Sequence, residues 1–279
     1  MIKFLIAFLL LNSALAAISG DDDRHEIIDA PVAIQKLSNS IAALVRKENV
    51  IPQDDGSFKL LGQSYVESLN FCGDARFVET QTIVANCSAF LVGPNKIGTA
   101  GHCIEHNGKV DISGYYAIFD YKVTSHNQED FIISKEQIFE LKDTTQYIFN
   151  FPKDKDVAVI ELDRVVENRT PLTLSKDRVE IGEEVFILGF PFGLAMKYQD
   201  NGSVTRIFDS SFSHDLDVFS VNSGSAIFSA DTNEIVGILV RGIGQNMERD
   251  PDRNCNVWGG EISKGDYSGE GNLIELLKP

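Results

Sequence analysis

From Ala85 onward the chain alternates short apolar stretches with turn formers: residues 89–92, 115–123, 157–162, 185–188 and 235–240 are separated by Gly, Pro, Asn and Asp. Such stretches, rich in Val, Ile, Phe and Tyr between turn signals, predict strands. Several of them at short spacing predict an antiparallel sandwich or barrel. The region before them is mixed. An acidic Asp21-Asp22-Asp23 leads, residues 32–47 carry a helical spacing, and Asp54-Asp55-Gly56 marks a turn. There is no internal repeat and no low-complexity linker in the 279 residues, so a second domain would pack closely against the first.

Residues 1–16 read as a signal peptide: Lys3 gives a positive start, an apolar run covers residues 4–11, and Ala14-Leu15-Ala16 is a small-x-small cleavage site. The mature protein is therefore expected to be secreted or periplasmic. That run is far short of the roughly 20 residues that span a bilayer, and no later segment is long and uncharged enough, so no membrane anchor is expected. A hydrophobic content of 43% excludes wholesale disorder. A net charge of −16 opposes binding to nucleic acid, which draws on clustered Lys and Arg. The four cysteines, Cys72, Cys87, Cys103 and Cys255, predict two disulfides in an exported chain, with three possible connectivities. None lies in a CxxC pair, and neither a metal nor another cofactor is expected.

Three segments carry candidate chemistry. Thr99-Ala100-Gly101-His102-Cys103 follows a strand-like stretch and a turn at Gly93-Pro94-Asn95. Asp156 opens the buried-strand run Asp156-Val157-Ala158-Val159-Ile160-Glu161-Leu162. Asn222-Ser223-Gly224-Ser225 sets a serine in a glycine-containing turn before Ala226-Ile227-Phe228. A serine hydroxyl is a poor nucleophile until an imidazole takes its proton, and a carboxylate fixes the imidazole tautomer. Singly, each residue is more often structural: a histidine near a turn, an aspartate before a strand, a serine in a loop. Their order and contexts make them a candidate triad of His102, Asp156 and Ser223.

Those three blocks, TAGHC, DVAVIEL and NSGSA in this order, resemble the signature blocks of the chymotrypsin-fold (trypsin-like) serine peptidases. Within that family the chain is similar to the compact bacterial branch of the glutamyl endopeptidases, helped by Asp22-Asp23-Arg24-His25-Glu26-Ile27, Asp215-Leu216 and Gly237-Ile238. The resemblance spans about residues 22–275 and is strong at the three blocks. It implies an all-β fold of two packed six-stranded antiparallel β-barrels with the active site in the cleft between them. The first barrel would run to about residue 165, within a peptidase domain of residues 71–279, and residues 17–70 would be an extension packed on the fold or a propeptide. The implied activity is endopeptidase hydrolysis of protein or peptide substrates by a monomer. Also implied are a Cys87–Cys103 disulfide bracing the histidine loop and with it a Cys72–Cys255 pair.

The resemblance assigns further roles. The oxyanion hole would use the N–H groups of Ser223 and of the residue two before it, a glycine in the family and Val221 here. A β-branched residue is costly at positive φ. A non-catalytic homologue that binds proteins through its cleft is therefore the alternative function, and a β-sandwich adhesion module with chance motifs is a third reading. Asp217, six residues before Ser223, matches the trypsin-like pocket base and implies cleavage after Arg or Lys, with Val218, Val240, Arg241 and Gly242 as pocket walls. Glutamate specificity is disfavoured because Leu239 or Val240 stands where that branch carries a histidine. Asn222 stands where pancreatic-type members carry an Asp that pairs with a newly cut N-terminus, so activation by that ion pair is not expected.

Overall fold

The run Ile41-Ala42-Ala43-Leu44-Val45 is buried on both faces, and its alternate residues enter different cores. It belongs to strand β1 (Ile41–Arg46) in a computed structural model of the chain. Described are residues 18, 22–73, 75–77, 81–126, 128, 130–150, 155–242, 247–258, 263 and 265–279. Residues 1–16, expected as a signal peptide, and Asp21 lie outside them. The first barrel continues through β2 (Ala85–Gly93), β3 (Lys96–Thr99), β4 (Tyr115–Phe119), β5 (Ile138–Asn150) and β6 (Lys155–Leu162). The second barrel comprises β7 (Glu184–Gly189), β8 (Lys197–Ile207), β9 (Ser211–His214), β10 (Ala226–Ser229), β11 (Ile235–Gly242) and β12 (Gly269–Leu273).

The first barrel closes in the antiparallel order β1-β2-β3-β6-β5-β4, and the second repeats this order as β7-β8-β9-β12-β11-β10. The duplication that the sequence does not display is thus present in topology. Strand alternation explains how the two halves adhere. Ala42, Leu44, Ala158 and Ile160 fill the first barrel, and Val185, Ile187 and Ile227 fill the second. Ile41, Ala43, Val157, Val159, Phe186, Leu188 and Phe228 face outward into one core shared by both barrels. At about 25 cal/mol per Å² of apolar surface, this shared layer locks the barrels to each other.

The helix expected over residues 32–47 stops early. It covers Val32–Ser38, and Asn39-Ser40 turn the chain into β1. A strand buried on both faces loses the period-2 signature, and its alanines read as helical. Residues 17–70 thus supply the first strand of the first barrel. Ahead of it, the two-residue strand His25–Glu26 pairs with Lys197 and Tyr198 of β8. The disulfides are Cys87–Cys103, over 16 residues, and Cys72–Cys255. The second ties the chain after residues 65–69 to a hairpin formed by Met247–Asp250 and Cys255–Trp258.

His214, at the end of β9, is fully buried, and among the described residues neither of its ring nitrogens has a hydrogen-bond partner. Burial pushes the imidazole down to about 3. The native state therefore holds it neutral where an unfolded chain protonates it, so stability falls as pH falls from about 6.5 toward about 3, by up to about 1.4 kcal/mol per pH unit. Urea unfolding at about pH 7 and about pH 4 should show a smaller acid loss for His214→Leu than for the parent chain; equal losses would contradict this origin.

Candidate active site

Gly101–Ile104 is a single 3-10 turn that follows β3 and carries His102. Its opening glycine is required by space: a Cβ at Gly101 would lie 2.5 Å from the Ile148 carbonyl oxygen and 3.1 Å from Asp156 Oδ1. Asp156, the second residue of β6, is buried and grips His102 twice. Its Oδ2 is 2.6 Å from His102 Nδ1, and its Oδ1 accepts the His102 backbone N–H at 2.8 Å. A carboxylate only accepts, so Nδ1 is the donor, and the neutral imidazole then carries its lone pair on Nε2. Asp156 is itself fixed from the other barrel, because its N–H donates to Asn272 Oδ1 on β12 at 2.6 Å. Asn272 is completely buried. Its spacing from the three blocks gave no hint of this role.

Ser223 sits half-buried in the turn before β10. Its carbonyl oxygen accepts the N–H of Ser88 on β2 at 2.8 Å, and Cys103 Sγ, one residue from His102, lies 3.7 Å from the same oxygen. The structure therefore brings His102, Asp156 and the Ser223 turn to one junction of the barrels. Around the serine the turn is braced on all sides. The Gly224 N–H reaches the Leu239 carbonyl at 2.8 Å, Asn222 N–H the Phe219 carbonyl at 3.2 Å, and Ser225 N–H the Asn222 carbonyl at 3.2 Å. Ser225 Oγ lies 2.8 Å from Asn222 Oδ1 and 2.9 Å from Ser88 Oγ. Ser88 is a second residue that sequence reasoning missed, since a small polar residue inside an apolar strand carries no pattern of its own.

Val221 has φ +70°, the left-handed region, and is the one β-branched residue at positive φ among the described residues. The chain thus adopts the conformation that glycine takes without cost, at an expense of roughly 1–2 kcal/mol. Among the described residues, no acceptor takes the N–H of Val221 or of Ser223.

The specificity candidates are dispersed differently. Val218 and Gly242 face each other, a Cβ on Gly242 falling 2.9 Å from Val218 Cβ, whereas Val240 on β11 is buried in the core shared by the two barrels. Arg241 pairs with Glu270 at 3.1 Å. Asp217 is buried and lines a small cavity with Arg24, Lys197, Gln199 and Asn222. Lys197 is held there by Gln81, Glu26 and the Ala195 carbonyl, and its burial, stronger than the pull of Glu26, lowers it to about 8. The ligand atoms of Cys87, His102 and Cys103 fall within 4.8 Å of one another, but both sulfurs are consumed by their disulfide and offer no thiolate. Among the described residues, no helix is long and apolar enough to cross a membrane.

Two like-ordered closed barrels with this junction define a chymotrypsin-type fold. A family model described as a trypsin-like peptidase domain matches residues 87–238, and the chain belongs to that family. No curated protein sequence matches it significantly. Among solved structures, a Glu endopeptidase in complex with MPD superposes with a TM-score of 0.53 at 19% identity, over 92% of this chain and 93% of that one. The VesB protease of Vibrio cholerae gives 0.54 at 14% identity, over 91% of this chain and 64% of its own, and human heparin binding protein gives 0.52 at 11% identity, over 93% and 92%. At these identities the likeness is one of fold.

Gly224 has φ +83°, and a Cβ there would lie 2.0 Å from the Ser88 carbonyl oxygen and 2.4 Å from Thr99 Oγ1. Gly224→Ala should therefore cost about 2 kcal/mol or more in urea unfolding, because both the backbone region and the space exclude a side chain.

Proposed function

We propose that the chain is an exported serine endopeptidase that cleaves peptide bonds through an acyl-enzyme. Ser223 Oγ would attack the scissile carbonyl while His102 Nε2 takes its proton, then returns it to the leaving amine. Asp156, held by Asn272, keeps the imidazole in the tautomer this requires and balances the imidazolium that forms. Water then repeats the sequence on the acyl-enzyme. The observation that carries this reading is the two-point grip of Asp156 on His102 beside a braced serine turn. Support for the oxyanion hole comes from Val221: its positive φ resembles that open to glycine, and its N–H and that of Ser223 have no acceptor among the described residues. Two such donors act in a site where each is worth on the order of a hundredfold or more in rate.

Export is part of the same proposal, on the signal-like residues 1–16 and the two disulfides. Retention of residues 17–70 after signal removal is supported by β1 and by the His25–Glu26 pairing. Substrates would be proteins or peptides. Arg24 and Lys197 line the same cavity as Asp217, which argues against a carboxylate reserved for a substrate Arg or Lys.

A fluorophosphonate probe should label the mature chain, and Ser223→Ala should abolish labelling and lower peptide hydrolysis by at least ~10⁴-fold. Failure of the unaltered chain to label would sink the proposal in favour of a non-catalytic binding homologue. Val221→Gly should leave kcat within about threefold, because the backbone already holds the required region; a rise of about a hundredfold would mean that the Val221 N–H points away from the oxyanion.

A further inference from the structure

Arg24 is a fully buried arginine supplied by the segment ahead of both barrels, and nothing in the triad uses it. Its Nε and Nη2 donate to Asp22 Oδ1 and Oδ2 at 2.8 and 2.7 Å, a bidentate pair. Burial alone would raise the Asp22 carboxyl, but the hydrogen bonds and charge of Arg24, with Arg76 behind it, hold it low. The Arg76 guanidinium in turn donates to the Arg24 carbonyl at 2.6 Å. Downstream, the pairing of His25 and Glu26 with β8 pins the segment in place.

The guanidinium points at the back of the serine turn. Its carbon stands 3.9 Å from the Phe219 ring centroid, with Phe77 at 5.3 Å and Trp258 at 6.0 Å. Trp258 packs on Phe219 at 5.2 Å from the hairpin that Cys72–Cys255 secures. Arg24 also lines the cavity shared by Gly189, Asp217 and Asn222. Phe219 is two residues before Val221, and its carbonyl closes the turn on the Asn222 N–H. A β-branched residue at positive φ persists only where its surroundings over-determine it; the Phe192 N–H holds the Ser220 carbonyl at 2.8 Å, Trp258 packs on Phe219, and Arg24 on Phe219 is the cationic contact among these from outside the barrels.

Resting on the peptidase reading above, we propose that Arg24 is a positioning residue that orders the segment 217–222, so that an internal guanidinium does the work for which related enzymes need a newly cut N-terminus. The intact chain is then competent with residues ahead of Arg24 still attached. It also follows that loss of the guanidinium disorders the Val221 N–H without touching His102 or Asp156.

The test measures fluorophosphonate labelling rates and thermal unfolding on the full secreted chain, with intact mass confirming that residues ahead of Arg24 remain. Arg24→Ala should fold yet label at least ~10-fold more slowly, with the loss in kcat rather than KM, and ethylguanidinium at about 50 mM should restore at least a ~3-fold gain. Labelling of Arg24→Ala at the parent rate would overturn the proposal. So would slow labelling that neither ethylguanidinium nor Arg24→Lys improves, because Arg24 would then serve folding alone. Labelling of the parent chain only after cleavage beyond Arg24 would overturn it as well. If Arg24→Ala does not fold, Arg24→Met with Asp22→Asn keeps the apolar stem and removes the buried charge, and a parent rate there overturns the proposal. A parent chain that never labels defeats the peptidase reading itself, a result distinct from all of these.

Discussion

Two of the hydrogen bonds that cross between the barrels, Asp156 N–H to Asn272 and Ser88 N–H to the Ser223 carbonyl, set the geometry of the site at their junction. His102 and Asp156 belong to the first barrel and Ser223 to the second, and apolar packing alone fixes no register between them. Dispersion and burial tolerate small slides of one surface over another, whereas a buried amide left without its acceptor costs on the order of 1–3 kcal/mol. The shared core therefore supplies adhesion and the two polar links supply alignment. Both links place a first-barrel donor against a second-barrel acceptor, so a rotation that broke one would strain the other.

Alignment of the serine turn is bought against local strain. Val221 holds a conformation that its branched Cβ disfavours, and the compensation is spread over close backbone approaches that only glycine permits. At Gly189 a Cβ would fall 1.8 Å from Ser225 Oγ, and at Gly224 it would meet the Ser88 carbonyl. The turn is thus wedged between β2, β7 and β11. Its remaining face rests on Phe219, where aromatic and cationic contacts join the backbone bond from the Phe192 N–H to the Ser220 carbonyl. The part of the turn nearest Val221 consequently depends on elements far away in sequence: Arg24, Cys72 and Trp258.

That distance explains what could and could not be read from the chain. TAGHC, DVAVIEL and NSGSA were legible because each combines a candidate site residue with the small or apolar neighbours its turn or strand demands, and Gly101 and Gly224 have steric reasons for being there. Strands β2, β6, β7 and β11 were legible as apolar runs. Strand β8 was not, because Asp200-Asn201-Gly202 reads as a hairpin turn; in the fold it is a bulge, with Asn201 at φ +60° and Gly202 packed under Leu216. Strand β1 was hidden by burial on both faces. Asn272 and Ser88 have no local signature, since what defines them is a partner more than a hundred residues away.

Electrostatics shows the same limit most sharply. An acidic chain of net charge −16 nonetheless buries Arg24 and Lys197 next to Asp217 and Asn222. Burial lowers the Lys197 ammonium against the attraction of Glu26, and hydrogen bonds to Gln81, Glu26 and the Ala195 carbonyl offset that cost. Reading Asp217 from its position relative to Ser223 suggests an anion presented to substrate; reading it with its neighbours gives a carboxylate inside the chain's own cationic surroundings. The position of a charge in sequence fixes its sign, but only the groups folded against it decide whether that sign is available to a ligand.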